Sequence, residues 1–577
     1  MMRSRMDRSM TPAQREHQRG SRLLARAAAG APSIPDGRAK SFFQEKVAMR
    51  SPASAVRTPK SVLAPPSAAV IALTRMGFGP APGDVDAFNA LGVTDSERLA
   101  AYIDQQLDPD SIDDSVAEAR VAQSGFTTLD KSLEQLWADH VVAEVEWEVA
   151  MQPFFETELV TFLRAIHSKK QLLELLADFW HNHFSTFAYE YPIGPVWVHT
   201  DRDAIRANAL GNFRQMVEAV ARTPSMLYYL NNSVNSFEDA NENYARELME
   251  LHTMGAEAYL GSIPQDQVPL DGLGRPVGYV EEDVVAAARC LTGWTVSDRD
   301  WDPAIGNTGS FLYHDPWHDH DPKTVLGADL PANQAPMQDG FDLFDLLAEH
   351  PATARHIAGK LCRRLLGDFP PEPVVDAAAA TFSAAIDAPD QLAQVVRTIL
   401  LSPDFLSTWG DKAKRPYEIA VSAFRGAGAD LPFTLDDGAT DYFLYAYYIT
   451  GQPLFSWHPP NGYPDIKFAW NSTSPRVMCW RLANTLIMLS DDQDNPYFDI
   501  LGQTPAEVRS AQELVTFWAD RILGQPAAPD DEVSLVSFMA QGHNPSFDLP
   551  LDSDEGTQQR LRALIALIFM SPSFLWK

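Results

Sequence analysis

The sequence predicts a mainly α-helical protein, with one large multi-helix domain and two long irregular loops rich in Pro, Gly and Asp. Apolar residues recur with helical spacing over most of residues 61–577. Two segments, 261–340 and 451–476, interrupt this pattern. The chain has 577 residues, of which 45% are hydrophobic, and this is enough material for a large core.

The first 60 residues differ from the rest of the chain in charge. They carry 13 Lys and Arg against four Asp and Glu, whereas the whole chain has a net charge of −31. Their Arg-rich start and short, interrupted apolar run fit either a disordered basic tail or an atypical leader peptide. An exported and a cytoplasmic location therefore both stay open. Residues 61–577 are predicted to form a single helical domain.

Composition excludes some classes of protein. The acidic body repels phosphate backbones, which argues against nucleic-acid binding. There is no run of 18 apolar residues, so no transmembrane segment is predicted. Cys290, Cys362 and Cys479 are too far apart for a zinc motif or a disulfide framework, and they are predicted to be buried apolar side chains.

Residues 61–254 show the helical periodicity most clearly. One amphipathic stripe consists of Leu172, Leu176, Phe179 and His183. A second signal is a Ser/Thr-Pro step that follows an apolar helix, and its copies begin at Thr223, Ser402 and Ser571. At such a step the hydroxyl can cap the next helix while Pro takes the first helical position.

The segment Asp178–Phe184 contains two histidines and an acid. If the helix continues to its end, His181 and His183 point about 200° apart and cannot share a metal. If the chain instead becomes extended after Trp180, both rings face one side and chelation becomes possible. The sequence leaves both alternatives open, and both histidines are candidate metal ligands.

A predicted helix at Asn241–Gly255 carries two further candidates. Glu247 lies at the edge of the apolar face, where an unpaired carboxylate would cost several kcal/mol. It is therefore a candidate metal ligand or general base. His252 also points partly inward and is a candidate metal ligand.

The segment Tyr313–Lys323 is dense in histidine and aspartate. His314, His318 and His320 alternate there with three Asp residues, and prolines break any helix. Imidazole and carboxylate side chains bind transition metals or transfer protons near neutral pH. His318 is therefore a candidate metal ligand, with Asp319 and Lys323 as a candidate catalytic pair beside it. A solvated acidic loop is the alternative.

The second irregular segment, 451–476, is rich in aromatic residues and proline. Its backbone is stiffened by Pro and Gly, and loops of this kind line clefts as often as they cover a core. Trp457, Tyr463 and Trp470 are the candidate residues if the loop binds carbohydrate.

Several segments together resemble a bacterial family catalogued as domain of unknown function 1800. They are Leu73–Gly79, Phe179–Phe184, Ala204–Arg206 with Ala209–Phe213, Asn241–His252, Ala288–Trp294, His318-Asp319 with Lys323 and Leu326-Gly327, and Pro459–Pro464. The resemblance runs from about residue 65 to 577. His314 and His320 are additions to the family's His-Asp…Lys pattern.

The resemblance implies no established activity. It implies that export is common among the relatives, and that a sulfatase-like companion family, domain of unknown function 1501, is often encoded beside them. It gives no roles for the matched positions.

Three functional hypotheses follow. The first is a metal-dependent enzyme, either a hydrolase or an oxidoreductase. In it a divalent transition metal is held by His181, His183, His252 and His318, and Glu247, Asp319 and Lys323 support the chemistry. The second is a non-catalytic envelope scaffold that works with the sulfatase-like companion. The third is a carbohydrate-binding protein.

Overall fold

Helices with one buried apolar face account for most of the structure, so the mainly α prediction is confirmed. The computed structural model describes residues 65–299 and 302–577. The basic segment 1–60 lies outside the described residues, and its tail or leader prediction stays a prediction. In the described part of the chain, no helix is both long enough and apolar enough to cross a bilayer.

The helices fall along the chain as follows. In the first third they are α1 (Ala68–Arg75), α2 (Asp84–Asn89), α3 (Asp95–Gln106), α4 (Ser115–Gln123), α5 (Leu133–Trp137), α6 (Trp147–Ala150), α7 (Gln152–His167), α8 (Gln171–His183) and α9 (Trp197–His199). In the middle they are α10 (Phe213–Ala221), α11 (Pro224–Tyr229), α12 (Glu242–Glu247), α13 (Glu281–Cys290), α14 (Gln338–Glu349), α15 (Pro351–Leu365), α16 (Glu372–Ala384), α17 (Gln391–Leu400), α18 (Asp404–Ser407) and α19 (Pro416–Ala427). The last are α20 (Gly438–Tyr448), α21 (Lys467–Trp470), α22 (Thr473–Met488), α23 (Ile500–Gln503), α24 (Ala511–Leu523), α25 (Pro529–Ala540), α26 (Glu555–Met570) and α27 (Pro572–Leu575).

Helix α8 runs through the core and ends at the first histidine motif. Its predicted apolar stripe is buried, from Leu172 through Phe179 to His183. The helix continues to His183, where the N–H of Phe184 still donates to the carbonyl oxygen of Trp180. Because two residues span about 200° of a helix, His181 and His183 face different surroundings. The structure thus selects the first of the two alternatives.

Residues 261–340 contain more regular structure than their composition indicates. Besides α13 they form two antiparallel hairpins, β1 (Trp294–Arg299) with β2 (Gly306–Tyr313), and β3 (Lys323–Val325) with β4 (Ala328–Leu330). The short strands escape a pattern search because they are brief and irregular, with a register shift in β1. The histidine-rich segment connects the two hairpins.

Two turns of π-helix position residues near α8. One is Thr200–Ile205, which contains Asp201, and the other is Leu248–His252, which follows α12 directly. A π turn inserts an extra residue and rotates the side chains after it, and such turns are frequent at functional sites. From these turns Asp201 contacts His181 and His252 lies beside His183, both at the end of α8.

Candidate functional site

The end of α8 lies between two pockets on different sides of the helix. The first, which we call the dyad pocket, holds about 420 Å³ including its open mouth. Its polar part includes His181 and Asn182, and its aromatic walls are Trp197, Phe455, Trp457 and Tyr463. Most of its aromatic residues come from the loop 451–466, so the second irregular segment lines a cleft.

His181 forms a buried pair with Asp201 at the edge of the dyad pocket. The distance from Nε2 to Oδ1 is 2.8 Å, and both side chains are less than a tenth exposed. Burial alone would raise the pKa of Asp201, but the hydrogen bond from His181 and the charge of Arg206 lower it, so the carboxylate stays ionised. Asp201 therefore accepts from Nε2–H, and no described residue forms a hydrogen bond with Nδ1.

Aromatic rings fix the plane of the His181 imidazole. Its centroid lies 5.5 Å from that of Trp197 and 4.7 Å from that of Phe455. The indole N–H of Trp197 is buried and has no hydrogen-bond partner among the described residues. The pocket thus offers an oriented imidazole and a free donor within an apolar frame.

The loop 451–466 is fastened to α8 through Asn182. The side-chain amide donates to the carbonyl oxygen of Tyr463 at 2.9 Å, and its oxygen accepts from the Tyr463 N–H at 2.7 Å. Gly462, in the left-handed region with φ 72°, lies directly on the Asn182 backbone. The Pro459–Pro464 segment therefore builds the wall of the dyad pocket.

The second pocket, which we call the basic pocket, holds about 320 Å³ including its mouth. Its charged and polar lining is His183, Lys360, Arg363, Arg364, Arg415 and Asp465. Three of the cations come from one face of α15, where they are spaced at i, i+3 and i+4. Asn182 borders this pocket as well as the first one.

His183 is part of a group of three imidazoles beside the basic pocket. Its ring centroid lies 6.0 Å from that of His252 and 6.3 Å from that of His356. The Nε2–H of His183 donates to the carbonyl oxygen of His252, and that of His356 to the carbonyl oxygen of Leu251. Burial and the nearby Lys360 lower the pKa of His252 to about 3 and that of His356 to about 4, so these rings are neutral.

This set of donors is a poor fit for a divalent cation. The charge of Lys360 acts on all three imidazoles, and three arginines line the adjacent pocket. In the described residues, no group of three or more His, Cys, Asp or Glu side chains is arranged to hold a metal ion. Of the four predicted ligands, the structure brings His183 and His252 together, whereas His181 and His318 have other partners. Metal binding stays a prediction.

One family model covers the part of the chain that builds these pockets. A family model described as "Protein of unknown function (DUF1800)" matches residues 71–576. The chain belongs to this family. No curated protein and no solved structure matches it.

Two DUF1800 segments that the resemblance pointed out, Phe179–Phe184 and Pro459–Pro464, meet at the dyad pocket. A third, Asn241–His252, supplies His252 to the imidazole group. The candidate site of this DUF1800 chain is thus assembled from segments nearly 300 residues apart in the sequence.

Within the histidine-rich segment of the DUF1800 chain, His318 and Lys323 form a separate cluster with Asp339, whereas His320 is exposed and lies 3.8 Å from Asp315. His318 contacts Asp339 at 3.1 Å and the carbonyl oxygen of Thr292 at 2.9 Å. The ammonium of Lys323 donates to Asp339 at 2.6 Å and also to the carbonyl oxygens of Asp319 and Asp321. These groups have no free valence for a ligand, and their arrangement fastens the loop to α14.

Asp319 and Glu247 have different surroundings. Asp319 pairs with Arg289 at 2.6 Å and with Lys323 at 3.9 Å, as part of the same cluster. Glu247 lines neither pocket, and burial together with the charge of Glu250 raises its pKa to about 7. The charge of Glu247 raises the pKa of Tyr229, whose hydroxyl donates to the carbonyl oxygen of His458 in the aromatic loop.

Several residues of the DUF1800 site were missed in the sequence. His356 and Arg415 lie outside the segments singled out in the sequence, Asp201 lies three residues before Ala204–Arg206, and only the fold brings them near α8. Lys360, Arg363 and Arg364 did carry a signal, because an i, i+3, i+4 spacing puts three cations on one helical face.

Proposed function

We propose that the protein is an enzyme that transfers protons on a hydroxyl-bearing substrate, such as a carbohydrate, bound in the dyad pocket. The observation that carries the proposal is the buried His181–Asp201 pair, 2.8 Å apart, at the edge of an aromatic pocket. A concave, largely apolar pocket with a few convergent polar groups is the usual form of a ligand site.

The role of the pair follows from its hydrogen bond. Asp201 holds the Nε2–H tautomer, so the lone pair of Nδ1 is the proton acceptor. A water molecule would give its proton to Nδ1 as its oxygen bonds to the carbon of a glycosidic C–O bond, and the ionised Asp201 would stabilise the resulting imidazolium. That C–O bond would break, and the same proton would pass from Nδ1 to the departing oxygen, so that a glycoside and water give a sugar and an alcohol. Positioned acid–base catalysis of this kind contributes about 10²–10⁴-fold to a rate.

The walls of the pocket favour a substrate with both apolar faces and hydroxyls. Trp197, Trp457 and Tyr463 present flat rings, which pack against the C–H faces of a sugar. The unpartnered Trp197 N–H is a donor for a substrate oxygen. Two of the three aromatic residues expected for carbohydrate binding, Trp457 and Tyr463, line the pocket, whereas Trp470 is buried behind Tyr463.

The test compares two aspartates that each bind a histidine. Wild-type protein is incubated with a library of oligosaccharides and glycosides, and products are detected by mass spectrometry. On any substrate found, Asp201→Asn should lower kcat by about 10²-fold or more with little change in KM, and alter the pH profile. The control is Asp203→Asn in the same π turn, whose pair with His199 is more exposed. Equal kcat values for wild type and Asp201→Asn would refute the proposal.

The second candidate function is the binding of a partner protein, and one exposed apolar surface favours it. Val477, Trp480 and Met488 lie on one stripe of α22 and are 43%, 41% and 70% exposed. Co-purification with a protein of the sulfatase-like companion family, lost in Trp480→Glu, would support this role. Unchanged co-purification by that variant would count against this surface.

A further inference from the structure

The surroundings of the basic pocket hold more positive than negative side chains. The cations are Lys360, Arg363, Arg364, Lys412, Arg415 and Lys577, and the acids among them are Asp178, Asp368, Glu418 and Asp465. Six basic side chains outnumber four carboxylates, so there is a local excess of positive charge, although burial lowers the pKa of Lys360 to about 8 and that of Lys577 to about 7. This excess lies inside a protein whose net charge is −31.

Two of the arginines are held rigidly from behind. Arg364 and Arg415 are only 1% and 2% exposed, and both donate to Asp178, Arg364 from Nη2 at 2.9 Å. Glu418 lies 3.3 Å from Arg364 Nη1 and 3.4 Å from Arg415 Nε. These acids orient the guanidinium groups before any ligand arrives.

Some of the remaining donors have no partner in the described part of the chain. Arg364 Nε is buried without a hydrogen bond, and its Nη1 forms ion pairs with Glu418 and Asp465 but no hydrogen bond. Lys360 and Arg363 form neither a hydrogen bond nor an ion pair with any described residue, and both line the pocket. A buried charged donor without a hydrogen bond, such as Arg364 Nε, lowers stability. Folding alone gives no reason to place it beside two further cations that have no partner around the same cavity.

We infer that the basic pocket binds a phosphate oxyanion. Lys360, Arg363 and the Nε atom of Arg364 are donors of this pocket that no described residue uses. Arginine forks and ammonium groups are the usual partners of phosphate oxygens. A bound anion would compensate the local excess of basic side chains. The inference rests on this pocket alone and does not depend on the proposed chemistry at His181.

His183 adds selectivity between oxyanions. Because its Nε2–H donates to the carbonyl oxygen of His252, the Nδ1 atom presents a lone pair, and that atom is buried without a partner. Inorganic hydrogen phosphate, a dianion that retains one hydrogen, can donate to Nδ1, whereas sulfate has no hydrogen to donate. The pocket should therefore bind hydrogen phosphate more tightly than sulfate.

The experiment titrates inorganic phosphate, sulfate and acetate into the full-length protein by calorimetry, with ionic strength held constant by chloride. We expect saturable phosphate binding that is tighter than sulfate binding, with acetate weakest. Lys360→Met and Arg363→Gln should each weaken phosphate binding about tenfold, the loss of one charge-assisted contact. The matched control is Arg355→Gln on the same helix, whose cation pairs with Glu372 and Asp376 at the surface.

Three outcomes would overturn the inference. They are no saturable phosphate binding by the wild type, undiminished binding by Arg363→Gln, and an equal loss in Arg355→Gln. Arg363 is exposed, so its variant should fold even if Lys360→Met does not. Asp201→Asn should keep wild-type phosphate affinity, and this separates a failure here from a failure of the proposed enzyme.

Discussion

Gly462 lies so close to Asn182 that a Cβ at position 462 would be 2.1 Å from the Asn182 carbonyl oxygen. Real side-chain atoms do not approach a backbone oxygen to that distance. The glycine also has φ 72°, which favours residues without a Cβ. This contact lets the aromatic loop pack directly on α8, where the loop forms one wall of the dyad pocket.

Gly462→Ala should therefore destabilise the protein and open the dyad pocket. We expect a loss of about 2–4 kcal/mol in the free energy of unfolding, since both the left-handed backbone and the clash add to it. The control is Gly451→Ala, which has φ 93° but open space around its Cβ position, and it should cost only about 1 kcal/mol. Urea unfolding measures both variants. Equal losses in the two variants would mean that the close approach to Asn182 does not affect the free energy of unfolding.

Glu418→Gln tests the ionic cluster behind the basic pocket. The Glu418 side chain is 2% exposed and contacts Arg364, Arg415 and Lys577, which hold its pKa well below the usual range despite burial. Removing its charge leaves buried cations uncompensated, and we expect a loss of about 3–5 kcal/mol at pH 7.

The difference in stability between wild type and Glu418→Gln should depend on pH in one direction. Because the pKa of Glu418 is lowered by folding, its contribution is present above the unfolded value near 4.3 and is lost as the pH falls below it. The difference between wild type and Glu418→Gln should thus shrink toward pH 3. Glu372→Gln, which removes an exposed partner of Arg355, should cost less than about 1 kcal/mol. Similar losses for the two variants would contradict the argument.

Local patterns predicted the helices well. The stripe that ends at His183 is buried as its spacing indicates, and Thr223 and Ser571 cap the helices that follow their prolines. In the third copy Ser402 does not cap the helix that follows: its hydroxyl is buried without a hydrogen-bond partner among the described residues. Short-range rules thus predict where helices begin and which face is apolar, but not every cap.

The site was predicted only in part, because it depends on contacts between distant segments. His181 and Tyr463 were both candidates, but nothing in the sequence says that Asp201 would be the partner of His181. In the densest motif, both ring nitrogens of His318 already have partners, the carboxylate of Asp339 and the carbonyl oxygen of Thr292. A concentration of chemically versatile residues therefore did not distinguish a ligand site from a satisfied structural cluster.

The neutral imidazoles beside the basic pocket should make stability depend on pH. Burial and the charges of Lys360 and Arg363 lower the pKa of His356 to about 4, while the unfolded value is near 6.5. Below pH 6.5 the unfolded chain takes up a proton that the folded state does not. The stability that is present above pH 6.5 is therefore lost progressively toward pH 4.

His356→Gln removes one of these groups and should flatten the slope. Between pH 6 and 5 we expect the free energy of unfolding to fall by about 1 kcal/mol less than in the wild type. Urea unfolding in phosphate-free buffer measures it, because a bound anion would oppose the effect of Lys360. His543→Gln, at an exposed position, is the control. An unchanged slope in His356→Gln would show that His356 takes up its proton in the folded state.

Treatment with a chelator tests whether a bound divalent metal contributes to the stability of the protein. We expect EDTA to leave the thermal midpoint unchanged and elemental analysis to find no stoichiometric metal. The reason is electrostatic: a divalent ion at His183, His252 and His356 would lie beside Lys360 and the arginines of the basic pocket, without a carboxylate in the group to offset its charge. One equivalent of zinc or nickel per chain, whose removal by EDTA lowers the thermal midpoint, would contradict this expectation. That result would support the hypothesis of a metal-dependent enzyme. Repeating the measurement with His252→Gln would then locate the ion, since this variant loses a ligand from that group but leaves His181 and His318 in place.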